Sequence, residues 1–183
     1  MNIMRAPIEG MLIIEPDVFR DERGWFLETY RLNTLDAMVG HEVRFVQDNL
    51  SRSSRGVLRG LHYQLPPNAQ GRLIRVSRGE VFDVAVDLRR SSASFGRWAG
   101  VMLSGDSHRA VWLPPGLAHG FLVVGESADF HYKATEYYAP QSERCIRWND
   151  PAIGIDWPDI GQAPLLSARD ANAPFLADSP EFD

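Results

Sequence analysis

The sequence predicts an all-β fold, a closed or double-sheet barrel of the jelly-roll kind, and three observations carry that prediction. Short stretches of alternating apolar and polar residues follow one another through most of the 183 residues, which is the period of a half-buried strand. The breaks between them are rich in Gly, Pro, Ser and Asn, with 15 glycines and 12 prolines available for tight turns. Helical spacing of apolar residues is confined to two short segments, so no helical layer exists to cover a sheet, and the sheet must close on itself or on a second sheet.

The elements follow in order. Ile8 to Tyr30 alternates around two turn signals, Glu15-Pro16 and Asp21 to Gly24, and predicts two strands. Leu32, Leu35 and Met38 stand three apart and predict a short helix over Leu32–Val39, ended by Gly40. Strands are then predicted over Val43–Asn49, Val57–Tyr63, Arg72–Arg78, Gly79–Asp87, Arg97–Leu103, Ala110–Leu113, His119–Val124, Asp129–Thr135 and Ile146–Trp148. The tail from about 149 to 183, dense in Pro, Asp and Ala, carries one short helix near Ser167–Ala171. Neither a repeat nor a domain boundary interrupts the chain, which reads as a single domain, 1–183. About nine short strands with short peripheral helices describe a cupin-like jelly-roll β-barrel, whose interior can hold a ligand.

Composition narrows the class of function. A net charge of −5 argues against nucleic acid as a partner. No run approaches the roughly 18 apolar residues of a membrane span, and the first residues lack the apolar core of a signal peptide. One cysteine, Cys145, rules out an internal disulfide framework and suits the cytoplasm. Of 19 basic residues only Lys133 is lysine, and six arginines (Arg52, Arg55, Arg59, Arg72, Arg75, Arg78) fall between residues 52 and 78. Such a cluster is either a solvated, aggregation-resistant edge or a grip for phosphate, which the guanidinium holds with two parallel bonds.

Alternation then sorts polar residues onto faces. Tyr132, Glu136 and Tyr138 share a face with Phe130, while His131, Lys133 and Tyr137 share the other. Strict alternation sets Arg59 opposite His62; if both line one pocket, Gly60 must be a bulge. His119 closes a Pro-x-Gly-x-x-His fragment that is similar to half of the second metal-binding motif of cupins. The first such motif needs His-x-His, and here His62 is followed by Gln64, so a three-ligand metal centre is not expected. Metal-free proton transfer remains: His62 as general base at neutral pH and Tyr132 as general acid, with an aspartate to orient the imidazole. A buried, fully satisfied histidine and a tethered core tyrosine fit the same residues.

The motifs Phe19–Gly24, Phe26–Tyr30, Phe45–Asn49, Val57–Gln64, Ala69–Gly71, Gly79–Arg89, Ser94–Gly96, Pro114–Phe121, Tyr132-Lys133 and Trp148–Pro151 together resemble the dTDP-4-dehydrorhamnose 3,5-epimerase family, in order, from about residue 7 to residue 175. The resemblance implies a cofactor-free enzyme that converts dTDP-4-dehydro-6-deoxy-D-glucose to dTDP-4-dehydro-L-rhamnose, in dTDP-rhamnose biosynthesis. By the family pattern His62 is the base, Tyr132 the acid and Asp170 the carboxylate partner of the histidine. Arg72 takes the place of a frequent lysine beside the enolate oxygen. Arg23 and Arg59 match positions near the diphosphate, with His119 and Arg169 in the pocket. Gln47, Asp48, Asn49 and Glu143 match contacts to the nucleotide and its sugar, Tyr138 the aromatic that stacks on thymine, and Phe26 and Glu28 residues of the same pocket. The family also implies a homodimer that exchanges N-terminal strands (about 1–30), so that Arg23, Phe26 and Glu28 would serve the neighbouring subunit.

Three rivals follow from the same residues. A mono-epimerase would act at C3 or C5 alone, or on a related dTDP-ketosugar. A non-catalytic sugar-nucleotide binder would keep ligand affinity and exchange no hydrogen. A metal-dependent cupin oxygenase would carry stoichiometric iron or nickel.

Overall fold

The structure, a computed structural model, describes residues 1–179 and 182. Its strands are β1 (Asn2–Arg5), β2 (Leu12–Glu15), β3 (Val18–Asp21), β4 (Gly24–Leu27), β5 (Gln47–Ser54), β6 (Leu58–Gln64), β7 (Arg72–Asp87), β8 (Trp98–Ser104), β9 (Ala110–Leu113), β10 (Leu117–Ala134) and β11 (Glu143–Cys145). Helix α1 (Leu32–Val39) precedes β5; α2 (Ala168–Ala171) and a single 3₁₀ turn (Leu176–Asp178) lie in the tail. No helix among the described residues is long and apolar enough to cross a membrane.

Two strands organise the barrel. β7 and β10 are 16 and 18 residues long and pair antiparallel along nearly their whole length. Their outer portions, Arg72–Val76 against Phe130–Ala134, continue into β9, β2 and β1 on one side and β5 on the other. Their inner portions, Val81–Asp87 against Leu117–Val123, continue into β8 on one side and β6 then β11 on the other. One pair of strands thus belongs to both layers. The sequence divides each into two strands, at Gly79 and between Val124 and Asp129; in the structure each runs on as one strand, with register shifts between Val123 and Ala128 and between Asp129 and Phe130. Gly79 sits at φ +77°, and a Cβ there would lie 1.7 Å from the Ser127 carbonyl oxygen, so only glycine lets β7 turn beneath β10.

Other boundaries also moved. The N-terminal segment forms three further short strands where two were expected over Ile8–Tyr30, plus β1. β5 begins at Gln47 and runs on through Ser51–Ser54, a polar stretch with no apolar alternation to announce it. The last strand is Glu143–Cys145; Ile146 still exchanges both backbone hydrogen bonds with Leu61 but extends no further as a strand. Both expected helices are present. α1 ends at Gly40, whose N–H donates to the Asp36 carbonyl, and α2 begins at Ser167, whose hydroxyl accepts from the Asp170 N–H.

Burial follows the two layers. Ile74, Val76, Val81, Val111, Leu113, Phe121, Val123 and Phe130 fill the space between them. Each fully buried aliphatic side chain there contributes about 1.5–3 kcal/mol. Leu35 and Val43 pack with Trp112 on the outside of one layer, where α1 lies. Ile146, Ile153 and Trp157 cover Val84, Val86 and Leu61 on the outside of the other. The hairpin β3–β4 forms a sheet of its own, with Phe19, Trp25 and Phe26 all more than half exposed.

Candidate active site

One cavity, of about 340 Å³, opens between the layers. β5 contributes Gln47, Asn49 and Ser51; β6 contributes Arg59, His62 and Gln64; β10 contributes His119, Phe121, Phe130 and Tyr132. Gln70 reaches it from just ahead of β7 and Arg72 from its first position, Tyr138 from the loop before β11 and Glu143 from the first position of β11. Arg59 and His62 both face in because β6 carries an extra residue against β10: His62 pairs with His119, but Arg59 pairs with Phe121. Gly60, at φ +135°, is the bulge that alternation required; a Cβ on it would lie 2.5 Å from the Gly120 Cα.

The imidazole of His62 is backed by a carboxylate. Its Nε2 lies 2.6 Å from Asp170 Oδ1, and Asp170 is buried beside it. Burial alone would raise the Asp170 carboxyl, but hydrogen bonds from His62, Ser167 and Cys145 outweigh it and hold the group below its usual range. Asp170 is therefore ionised at neutral pH. Nε2 is then the donor and Nδ1 keeps the lone pair of a base. A second pair, His119 Nε2 and Asp83 Oδ2 at 2.7 Å, lies at the cavity wall, with His119 stacked on Phe130 at 5.7 Å.

Arg72 is the cation inside. Its Nη2 donates to Gln70 Oε1 at 3.1 Å, its Nη1 reaches the His62 carbonyl at 3.5 Å, and its guanidinium lies over the Tyr132 ring, 5.7 Å from the centroid. Burial pulls Arg72 below its ordinary value, opposed by Tyr132, Glu143 and Asp83, and a guanidinium stays charged regardless. Arg59 is tied to Ser53 Oγ at 3.2 Å. The other four arginines of the 52–78 cluster lie outside the cavity lining: Arg52, for one, grips Asp129 with two 2.6 Å bonds.

The mouth is held by polar links. The Tyr138 hydroxyl donates to Glu143 Oε2 at 2.7 Å, and Arg169 bonds the same carboxylate oxygen. Burial would raise Glu143, yet these two partners hold it low, and the hydrogen bond to it in turn raises the Tyr138 phenol. Gln64, 3% exposed, makes three bonds through its amide: it accepts from the Ala139 N–H at 2.9 Å and donates to the Asn68 and Tyr137 carbonyls at 2.6 and 3.1 Å.

Of the residues expected at the site, Gln47, Asn49, Arg59, His62, Arg72, His119, Tyr132, Tyr138 and Glu143 line the cavity, with Asp170 and Arg169 directly behind. Asp48 does not, because it alternates to the opposite face of β5 and pairs with Lys133 at 2.7 Å. Arg23, Phe26 and Glu28 sit on or beside the β3–β4 hairpin and line no part of this cavity; Arg23 pairs with Asp21 and Glu28 with Arg31. Gln70, Ser51, Phe121 and Phe130 line it without having been assigned a role.

His62, Cys145 and Asp170 bring three potential metal-ligand atoms within 4.8 Å of one another. The chemistry suits a shared proton better than an ion. Nε2 and Oδ1 stand at hydrogen-bond distance, and burial, with the Asp170 charge next, pushes the Cys145 thiol up to about 12.

A jelly-roll whose cavity holds a carboxylate-backed imidazole, a phenol and a buried guanidinium defines a class: an acid–base enzyme, an isomerase of carbon acids. The model of the family described as dTDP-4-dehydrorhamnose 3,5-epimerase matches residues 5–178. The chain is 54% identical to the dTDP-4-dehydrorhamnose 3,5-epimerase of Salmonella typhimurium over 96% of each chain. Its fold superposes with a TM-score of 0.93 on the crystal structure of a dTDP-6-deoxy-D-glucose-3,5-epimerase from Legionella pneumophila in complex with dTDP-4-keto-L-rhamnose, at 50% identity, covering 97% of this chain and 93% of that one. It also resembles a 3'-monoepimerase from Streptomyces bikiniensis in complex with dTDP-quinovose, at 40% identity and a TM-score of 0.88, over 93% and 86% of the two chains. This chain belongs to the dTDP-4-dehydrorhamnose 3,5-epimerase family.

Proposed function

We propose that the protein epimerises dTDP-4-dehydro-6-deoxy-D-glucose at C3 and C5, yielding dTDP-4-dehydro-L-rhamnose. The observation that carries this reading is the convergence of His62–Asp170, Tyr132 and Arg72 on one cavity, in a chain matched by the family model over residues 5–178. The C4 ketone acidifies the hydrogens on C3 and C5, because the carbanion left behind delocalises as an enolate. His62 Nδ1 takes the proton, and the C–H electron pair moves onto the C4 oxygen. Arg72 supplies positive charge where that oxygen becomes anionic. The Tyr132 hydroxyl returns a proton to carbon on the opposite face, which inverts the centre. Arg59 serves the diphosphate, and Tyr138, braced by Glu143, stacks on thymine.

The test is NMR of the substrate incubated with the protein in D₂O. Deuterium at both C3 and C5, with inversion, is the expected result. Exchange at one carbon establishes a mono-epimerase instead; dTDP binding without exchange establishes a binder.

The same reading makes the protein a cytoplasmic homodimer in which the β3–β4 hairpin serves the neighbouring cavity. Its support is that Arg23, Phe26 and Glu28 lie outside their own chain's cavity, on or beside a hairpin that shares no strand pairing with the barrel. Mixing His62→Ala with Arg23→Ala protein tests it. Exchange regenerates one intact site per mixed dimer, so activity returns on mixing; a hairpin that serves its own chain restores nothing.

A further inference from the structure

Arg72 brings to the cavity a planar, five-donor head. A lysine ammonium presents charge in every direction, whereas a guanidinium presents it only along the edges of a plane and must be oriented before it can meet an oxyanion. Three groups set that plane. The Tyr132 ring lies beneath it, the His62 carbonyl meets Nη1 at a long 3.5 Å, and Gln70 Oε1 accepts from Nη2 at 3.1 Å. The ring permits rotation in its own plane and the long carbonyl contact restrains it weakly, so the directional restraint is Gln70.

Gln70 is itself anchored on the far side. Its Nε2 donates to the Glu136 carbonyl at 2.8 Å, and the adjoining Gly71 exchanges two bonds with Thr135, giving to Oγ1 at 2.8 Å and accepting from N–H at 3.0 Å. The amide bridges two strand ends: the start of β7, which carries Arg72, and the end of β10, which carries Tyr132. We infer that Gln70 is a positioning residue that fixes the rotation of the Arg72 guanidinium and thereby sets the rate of enolate formation without contributing to ligand affinity. The inference rests on the reading of Arg72 as the cation at the enolate oxygen.

The experiment is a double-mutant cycle read by deuterium exchange at C3 and C5. Gln70→Met keeps the length of the side chain and removes the acceptor. It is expected to lower kcat by about 10- to 100-fold, the scale of a misplaced catalytic group, with KM and dTDP affinity within about twofold. Arg72→Met lowers kcat on its own, and adding Gln70→Met to it costs less than about a further twofold, because the residue acts only through Arg72. Equal losses in both backgrounds would make Gln70 a structural residue, and a rise in KM at constant kcat would make it a ligand contact; either overturns the inference. If Arg72→Met exchanges hydrogen at the wild-type rate, the role given to Arg72 fails first. If Arg72→Met is slow but Gln70→Met is not, only the inference fails.

Discussion

His62 and Tyr132 are each replaceable without disturbing the space between the layers, since His62 faces the cavity and Tyr132→Phe keeps the ring that Arg72 covers. His62→Ala and Tyr132→Phe should therefore fold and bind dTDP while losing about 10²–10⁴-fold in turnover, measured by hydrogen exchange beside a thermal melt. Tyr138→Ala should weaken dTDP binding by about 1–3 kcal/mol, read by titration calorimetry, because it removes one base–aromatic stack; unchanged affinity would take Tyr138 out of the site. Cys145 is the opposite case. With its thiol pushed up to about 12 it is protonated at neutral pH, and the native protein should resist thiol-specific alkylation until it is unfolded. These side chains differ in how legible they were. Tyr132 declares its face with Phe130 by alternation, whereas Tyr138 stands beyond the end of β10 at Ala134 and reaches the cavity from a loop, where alternation sets nothing. Asp170, 108 residues from His62, had no local signal and was reached through motif likeness. Gln70 falls in the Ala69–Gly71 motif but that likeness assigns it no role, because an amide's role depends on the partners it bridges.

Among the elements, the bulge in β6 decides whether a site exists. Without the extra residue at Gly60, Arg59 and His62 would lie on opposite faces and the cavity would lose one of its two lining arginines. Gly60→Ala places a Cβ against the Gly120 backbone at a positive φ; it should cost about 1–3 kcal/mol or shift the register, either of which shows in a denaturant melt and in loss of activity. This conditional reading could be made from sequence because a lone glycine between two inward polar residues leaves few alternatives. The long strands could not. Gly79 and the stretch around Gly125 read as breaks between strands, and only the tertiary pairing of β7 with β10 carries each strand through them. Ser51–Ser54 escaped for the converse reason: its strand character comes from pairing with Ser127–Phe130, not from its own composition.

For the whole molecule, buried carboxylates set the response to acid. Asp87, fully buried, would be raised by burial, but Arg89, Ser92 and Ser94 hold it below the usual range, as His62 and Ser167 do for Asp170. A group lowered in the folded state takes up its proton first in the unfolded chain. The stability it adds is complete above the unfolded value, near pH 4, and is lost as the pH falls through the lower folded value. The melting temperature should accordingly fall steeply below about pH 4, and Asp87→Asn should flatten that slope while costing about 1.5–3 kcal/mol at neutral pH, since it replaces the ionised acceptor of Arg89, which keeps the Glu9 carbonyl.

Gln64 stands two residues after His62, where a metal-binding barrel of this architecture would carry its second histidine. Gln64→His would restore that spacing, but an imidazole cannot make the three bonds by which the amide ties Asn68, Tyr137 and Ala139 together beside Tyr138. Acquiring a metal and keeping the Tyr137–Ala139 loop in its place at the cavity mouth are thus competing uses of one side chain.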